Sequence, residues 1–243
     1  MYINIISMLI YKNQQIQFAM GHNKFLIITA ILLASCAGSG QNKKDNKNAK
    51  QEKKMAADSI KQYGYNRDFL KKYTSVIELR NKNSAVVLAP FWQGRVMTST
   101  SEGDSGFSFG WINHELIASG KFLPHINPFG GEERLWLGPE GGQYSIFFSK
   151  GKDFNFENWQ TPAFIDSKPF ELTGSNDTSA FLKSAVTIEN YSGTIFDLAI
   201  DREIILLSEA EIMKQTGIDT KGVNCVSYRS KNTIINKGKK EWK

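Results

Sequence analysis

From residue 75 onward, apolar positions alternate with polar ones in short runs punctuated by Gly, Asn, Asp and Pro, the texture of half-buried strands. Residues 76–79, 85–88, 95–98 and 106–112 read as successive strands, followed by 135–137, 144–148, 169–172, 180–190 and 194–206. Asn190-Tyr191-Ser192-Gly193, between the last two, marks the turn of a long hairpin. Residues 226–229 and 233–235 add two short strands, and 236–240 reads as a turn. Helical signals are few. Asp58 can cap a helix that Gly64 stops, residues 113–119 hold a single turn with His114 facing out, and Ser208-Glu209-Ala210-Glu211 forms a capping box before Gly217. Many strands, irregular turns and little helix predict an all-β sandwich or barrel-like domain over residues 58–243.

Ahead of that domain the pattern changes. Residues 25–33 are almost wholly apolar, follow Lys24 and lead into Ala34-Ser35-Cys36. A basic residue, a short apolar run and small residues make a secretory signal; the run is too short to cross a bilayer, which takes ~20 residues. Leu33-Ala34-Ser35-Cys36 resembles the lipobox of bacterial lipoproteins, whose cysteine becomes the acylated N-terminus. That resemblance implies a signal peptide over 1–36, a lipid anchor at Cys36, and a cell-envelope location on a bacterial membrane, periplasmic or at the outer surface. Met20 opens a signal of ordinary proportion; a single long signal from Met1 is the other reading. Residues 37–57 are Lys- and Asn-rich and contain no aromatic or β-branched residue, so they form a flexible tether spanning ~25 Å.

The net charge of +6 invites a nucleic-acid partner, and its distribution excludes one. Residues 37–61 hold seven Lys against Asp45, Glu52 and Asp58, whereas residues 62–243 hold 21 basic and 21 acidic side chains. A phosphate-binding protein needs its basic excess on the folded part. With Cys36 acylated, Cys225 is the one cysteine left, which excludes an intramolecular disulfide and reads as a buried, inert thiol.

Candidate chemistry concentrates in the middle of the domain. Between Phe91 and Phe170 fall 16 of the 29 aromatic residues and 11 of the 20 glycines, and at the centre His125, Glu132, Glu133, Arg134, Trp136 and Glu140 lie between paired glycines. Carboxylates and Arg that hydrogen-bond hydroxyls, beside an indole that stacks on C–H faces, suit a sugar; the alternative is a long turn whose Trp136 and Phe129 fill the core. If strand-like, adjacent Glu132 and Glu133 point to opposite faces.

The run Gly130-Gly131-Glu132-Glu133-Arg134-Leu135-Trp136-Leu137-Gly138-Pro139-Glu140-Gly141-Gly142-Gln143 resembles the signature of an uncharacterised bacterial lipoprotein family. So do Gln93-Gly94-Arg95-Val96-Met97-Thr98-Ser99-Thr100, Phe109-Gly110-Trp111-Ile112-Asn113 and Asn158-Trp159-Gln160-Thr161-Pro162. The resemblance covers about residues 64–243 and implies a galactose-mutarotase-like β-supersandwich, the fold of aldose epimerases and other carbohydrate-active enzymes. It also implies a domain that continues beyond Lys243. On that footing His125 is the candidate general acid, and Arg95, Glu132, Arg134, Trp136 and Glu140 are candidate sugar-binding residues. No residue of this chain answers to the epimerase base. The expected function is carbohydrate binding by a membrane-anchored lipoprotein, either as an aldose-epimerase-like or other carbohydrate-active enzyme or as a non-catalytic binding or structural protein.

Other signals are weak. Gly103-Asp104-Ser105-Gly106 looks like a trypsin-type serine motif, but no histidine precedes it in the mature chain, and a glycine-rich turn is the better account. Two histidines after signal removal, with no helical pair, give a metal little to bind. There is no phosphate loop and no cofactor is implied. Nothing in the sequence sets the oligomeric state.

Overall fold

The computed structural model describes residues 2–11 and 59–241. Cys36, the tether and Asp58 lie outside the described residues. The elements run β1 (Tyr2–Tyr11), α1 (Tyr63–Tyr73), β2 (Ile77–Asn81), β3 (Ser84–Ala89), β4 (Arg95–Thr100), α2 (His114–Ser119), α3 (Ala163–Asp166), β5 (Glu171–Ser175), β6 (Ser179–Glu189), β7 (Ile195–Leu206), α4 (Glu209–Thr216) and β8 (Asn224–Asn236). The strands form two antiparallel sheets, one ordered β1-β8-β7-β6-β5 and one ordered β2-β3-β4. The protein is an all-β sandwich with a few short helices.

Its main core lies between the sheets, where Leu79, Val86, Leu88 and Val96 meet Leu182, Phe196, Leu198, Ile200, Ile204 and Val226. The small sheet is covered on its other face too. Ala85, Val87, Ala89 and Met97 pack against Tyr63 and Leu70 of α1, Leu116 and Ile117 of α2, and Phe129. β3 is therefore buried on both sides, which is why residues 85–89 read as a continuous apolar run rather than an alternation. β7 alternates cleanly, with residues 196, 198, 200, 202, 204 and 206 facing inward.

The 190–193 turn closes the β6–β7 hairpin as expected, with the Thr194 N–H donating to Asn190 Oδ1 at 2.9 Å. The capping box also forms: Glu211 N–H donates to Ser208 Oγ, the Glu211 carboxylate accepts from Ser208 N–H, and α4 ends at Gly217 with φ +72°. Other expectations change. Gly64 does not stop a helix but lies in the first turn of α1, where its N–H donates to the Asp104 carbonyl at 2.8 Å. A Cβ there would stand 3.0 Å from that oxygen, a contact tighter than most side chains make. β8 is one thirteen-residue strand rather than two short ones.

The largest departure is the segment between β4 and β5. The runs 106–112, 135–137 and 144–148 form no ladder, only isolated bridges at Gln62↔Phe107, Val96↔Glu133 and Ile112↔Gly130. Their apolar residues, including Leu135, Leu137, Ile146 and Phe147, fill the main core from irregular backbone. Burial thus produces a strand-like pattern without strand pairing.

Outside this irregular segment, one feature positions the site. Met97 is an extra residue in β4, since Val87 pairs with Thr98 and Leu88 with Val96. The resulting β-bulge turns Ser99 toward the large sheet. At the opposite edge, β1 pairs with β8 from Tyr2↔Thr233 to Tyr11↔Asn224.

Candidate functional site

Arg202 occupies an inward position of β7 that its neighbours fill with Ile200 and Ile204. Its side chain is fully buried, and every part of its guanidinium is engaged. Nε donates to the Gly94 carbonyl at 3.1 Å, and Nη1 donates to Ser230 Oγ at 3.0 Å and Asn232 Oδ1 at 2.9 Å. Both Nη atoms meet the Glu133 carboxylate. A charge placed among apolar side chains survives only when paired and hydrogen-bonded throughout, and Glu133 completes that shell.

Glu133 arrives from a loop that glycine makes possible. Gly130 (φ +94°) and Gly131 (φ +111°) sit in backbone conformations that side chains rarely adopt. A Cβ on Gly130 would stand 2.0 Å from the Trp111 carbonyl oxygen, and one on Gly131 would stand 2.8 Å from that of Val96. Beyond them, the N–H groups of Glu132 and Glu133 both address the single Val96 carbonyl, at 2.8 and 3.4 Å. Two residues opposing one is the arrangement of a bulge, and it brings both carboxylates to the same side. Glu132 accepts from Ser99 Oγ at 2.9 Å and from Tyr228 Oη at 3.1 Å. Tyr228, Ser230 and Asn232 share one face of β8 by alternation, so the two acids meet the same row. The extended strand in which the two would part does not form, because this segment is bulged.

Around this loop lies a hollow of about 310 Å³ lined by Arg95, Trp111, Asn127, Glu132, Glu133 and Arg134, among others. That is the lower end of the ~300–1,000 Å³ typical of ligand pockets. Trp111 is 62 % exposed and gives the wall a free indole. Asp166, buried at the end of α3, organises the floor. Its Oδ2 accepts from Asn127 N–H at 2.8 Å and Nδ2 at 2.7 Å, and its Oδ1 stands 3.4 Å from Arg134 Nη1 and 3.7 Å from Arg95 Nη2. Arg95 also donates to the Gly130 carbonyl at 3.0 Å. Burial, then the neighbouring Arg134 charge, pushes the Arg95 guanidinium down to about 10. Burial raises the Glu132 carboxyl above its ordinary value, opposed by the hydroxyl donors Ser99 and Tyr228.

Of the residues singled out in the sequence, Arg95, Glu132 and Arg134 converge on this hollow. Trp136 and Glu140 do not line it. Trp136 packs against the core beside Phe147, donates Nε1–H to Glu140 at 2.7 Å, and carries the Arg134 guanidinium on its face at 4.2 Å. It reaches the site through Arg134. His125 also stands apart: its Nδ1 is 2.6 Å from the Trp159 carbonyl oxygen, and its ring lies 4.7 Å from that of Phe156. His114 faces α1 rather than solvent, with Nε2 2.7 Å from Asn66 Oδ1 and its ring against Phe69. In the glycine-rich turn Asp104 pairs with Arg67 and Arg80. Cys225 is buried, and burial pushes its thiol up, as an inert cysteine requires.

Sequence reasoning missed Arg202, Asp166, Trp111 and Tyr228. Only Arg202 left a plain signal, as a charge at an inward position of an otherwise apolar alternation. Residues 61–243 match the model of a family described as a family of unknown function (DUF6786), and the chain belongs to that family. No curated protein and no solved structure matches it.

Two outcomes follow from this geometry. Arg202→Met leaves Glu133 buried and unpaired, and is expected to cost ~3–5 kcal/mol in urea denaturation, whereas Arg202→Met combined with Glu133→Leu recovers most of the loss. A single mutant as stable as the parent would show that the pair does not hold the loop. For Glu132 the folded-state pKa exceeds the unfolded one, so the native state retains the proton and stability falls as pH rises from about 4.5 through the raised value. Glu132→Gln lacks this slope. Its melting temperature should gain on the parent's as pH goes from 4.5 to 7, and parallel curves would refute the burial effect.

Proposed function

We propose that this member of DUF6786 is a cell-envelope lipoprotein, anchored to a bacterial membrane through acylated Cys36, whose domain binds carbohydrate in the hollow walled by Trp111, Arg95, Glu132 and Arg134. The observation that carries the reading is the convergence of an exposed indole with two arginines and a carboxyl in one concavity. Sugars are held by that combination, because the indole covers the apolar ring face while charged groups pair with hydroxyls. The signal-like run ending at Cys36 supports the anchor, and the two-sheet sandwich is compatible with a mutarotase-like scaffold.

Binding is favoured over hydrolysis. Glycoside hydrolysis commonly needs two working carboxyl groups, and here Glu133 is tied to Arg202 while Asp166 is shared by Arg95 and Arg134. Glu132 is the one acid lining the hollow that lacks a cationic partner among the described residues. An epimerase-like step would also need a proton donor within reach of the sugar, and His125 lies outside the hollow.

On a glycan array the parent protein should bind at least one saccharide class, with Trp111→Ala reducing the signal tenfold or more and the surface variant Lys183→Gln matching the parent. Failure of the parent to bind any glycan would remove this reading. Cys36→Ala should shift the protein from the membrane to the soluble fraction of cells expressing it, and an unchanged membrane fraction would exclude the lipid anchor.

A further inference from the structure

The two arginines of the hollow are weakly paired. Arg202 and Glu133 form a closed pair, with the remaining donors of Arg202 taken by Gly94, Ser230 and Asn232. That leaves Arg95 with Asp166 as its one nearby carboxylate, and Arg134 with Asp166 and, without a hydrogen bond, Glu140. Asp166 is already committed, since Oδ2 holds both N–H groups offered by Asn127. Its Oδ1 stands 3.4 Å from Arg134 and 3.7 Å from Arg95, well beyond the ~2.7–2.9 Å of a charge-assisted bond. Two guanidinium groups thus share, at long range, a carboxylate occupied elsewhere.

Arg95 is the more frustrated of the two. Its side chain is 3 % exposed, yet Nε has no hydrogen-bond partner, and its other donors meet only the carbonyls of Gly130 at 3.0 Å and Asp166 at 3.3 Å. An orphaned buried donor is costly and calls for an acceptor. Arg134 is 23 % exposed; apart from Asp166 its guanidinium rests on the Trp136 face, and no other acceptor among the described residues takes its N–H groups. Glu132 does not supply the missing charge, because its partners are the hydroxyls of Ser99 and Tyr228.

Resting on the carbohydrate reading, we propose that the hollow is specific for an acidic saccharide, a uronic-acid unit whose carboxylate lies against Arg95 and Arg134 while its ring covers Trp111. A planar carboxylate matches the paired N–H edge of a guanidinium, which a hydroxyl does not. The protein discriminates its ligand by charge, so a neutral ester of the same sugar is rejected.

The test is isothermal titration of the purified protein with oligomers of galacturonate, glucuronate and mannuronate, each also as its methyl ester. At least one acid form should bind tenfold or more tightly than its ester, and raised salt should narrow the gap. Arg134→Gln and Arg95→Met should bring acid and ester within about twofold of each other, with melting curves confirming that each variant is folded. Arg134→Gln decides the matter if Arg95→Met does not fold. Equal binding of acid and ester by the parent, or binding of neutral glycans alone, overturns the acidic-sugar inference and leaves carbohydrate binding standing. Absence of binding to any of these sugars and to every glycan on the array removes both.

Discussion

The structure turns on one buried ion pair. Arg202 sits where β7 would otherwise carry another aliphatic side chain, and a lone guanidinium in that position would be intolerable between two sheets. Glu133 neutralises it, and it gets there because paired glycines and a bulge against Val96 bend the loop into the sandwich. The loop is therefore anchored at its deepest point to the centre of the large sheet. Glu132 on one side and Arg134 on the other inherit fixed positions from it. A wall built this way is positioned by core electrostatics rather than by the looser contacts of a surface loop.

Around that anchor the polar groups form a graded series. The β8 row runs from Val226 through Tyr228 to Ser230 and Asn232, so the interior changes from apolar to hydrogen-bonding along one strand. Ser99 joins the polar end because the Met97 bulge redirects it. The small sheet, buried on both faces, supplies rigidity beneath: α1 and α2 close its far side and hold the Phe129 segment from which the glycine pair departs. Scaffold and site are consequently hard to separate. The residues that stop the sandwich from being uniformly greasy are the ones that shape its hollow.

The fold class and the long elements were legible in the sequence because they obey local rules. The β6–β7 hairpin follows from alternation and a turn tetrad, and α4 from its capping box and stop glycine. The runs 106–112, 135–137 and 144–148 read as strands without forming a ladder because their apolar residues are buried, and burial alone gives the same periodic texture that pairing does. Within the site, Glu132 and Arg134 stand out from composition, since charged groups between paired glycines are unusual in simple turns, while Arg95 is picked out by the family resemblance alone. Asp166 and Trp111 were not, since their roles come from tertiary approach: Asp166 meets Asn127 across 39 positions of chain, and no spacing rule carries that. Trp136 drew attention as the obvious indole, yet packing took it into the core margin and left exposure to Trp111.

One feature of the large sheet reaches beyond the hollow. The strand that covers the rim of β8, Tyr2–Tyr11, lies upstream of Cys36. Proteolytic maturation ahead of that cysteine would strip it away, leaving a row of main-chain donors and acceptors at the side of the sandwich. On the proposed lipoprotein reading, β8 rather than β1 is the outer strand of the mature domain's large sheet.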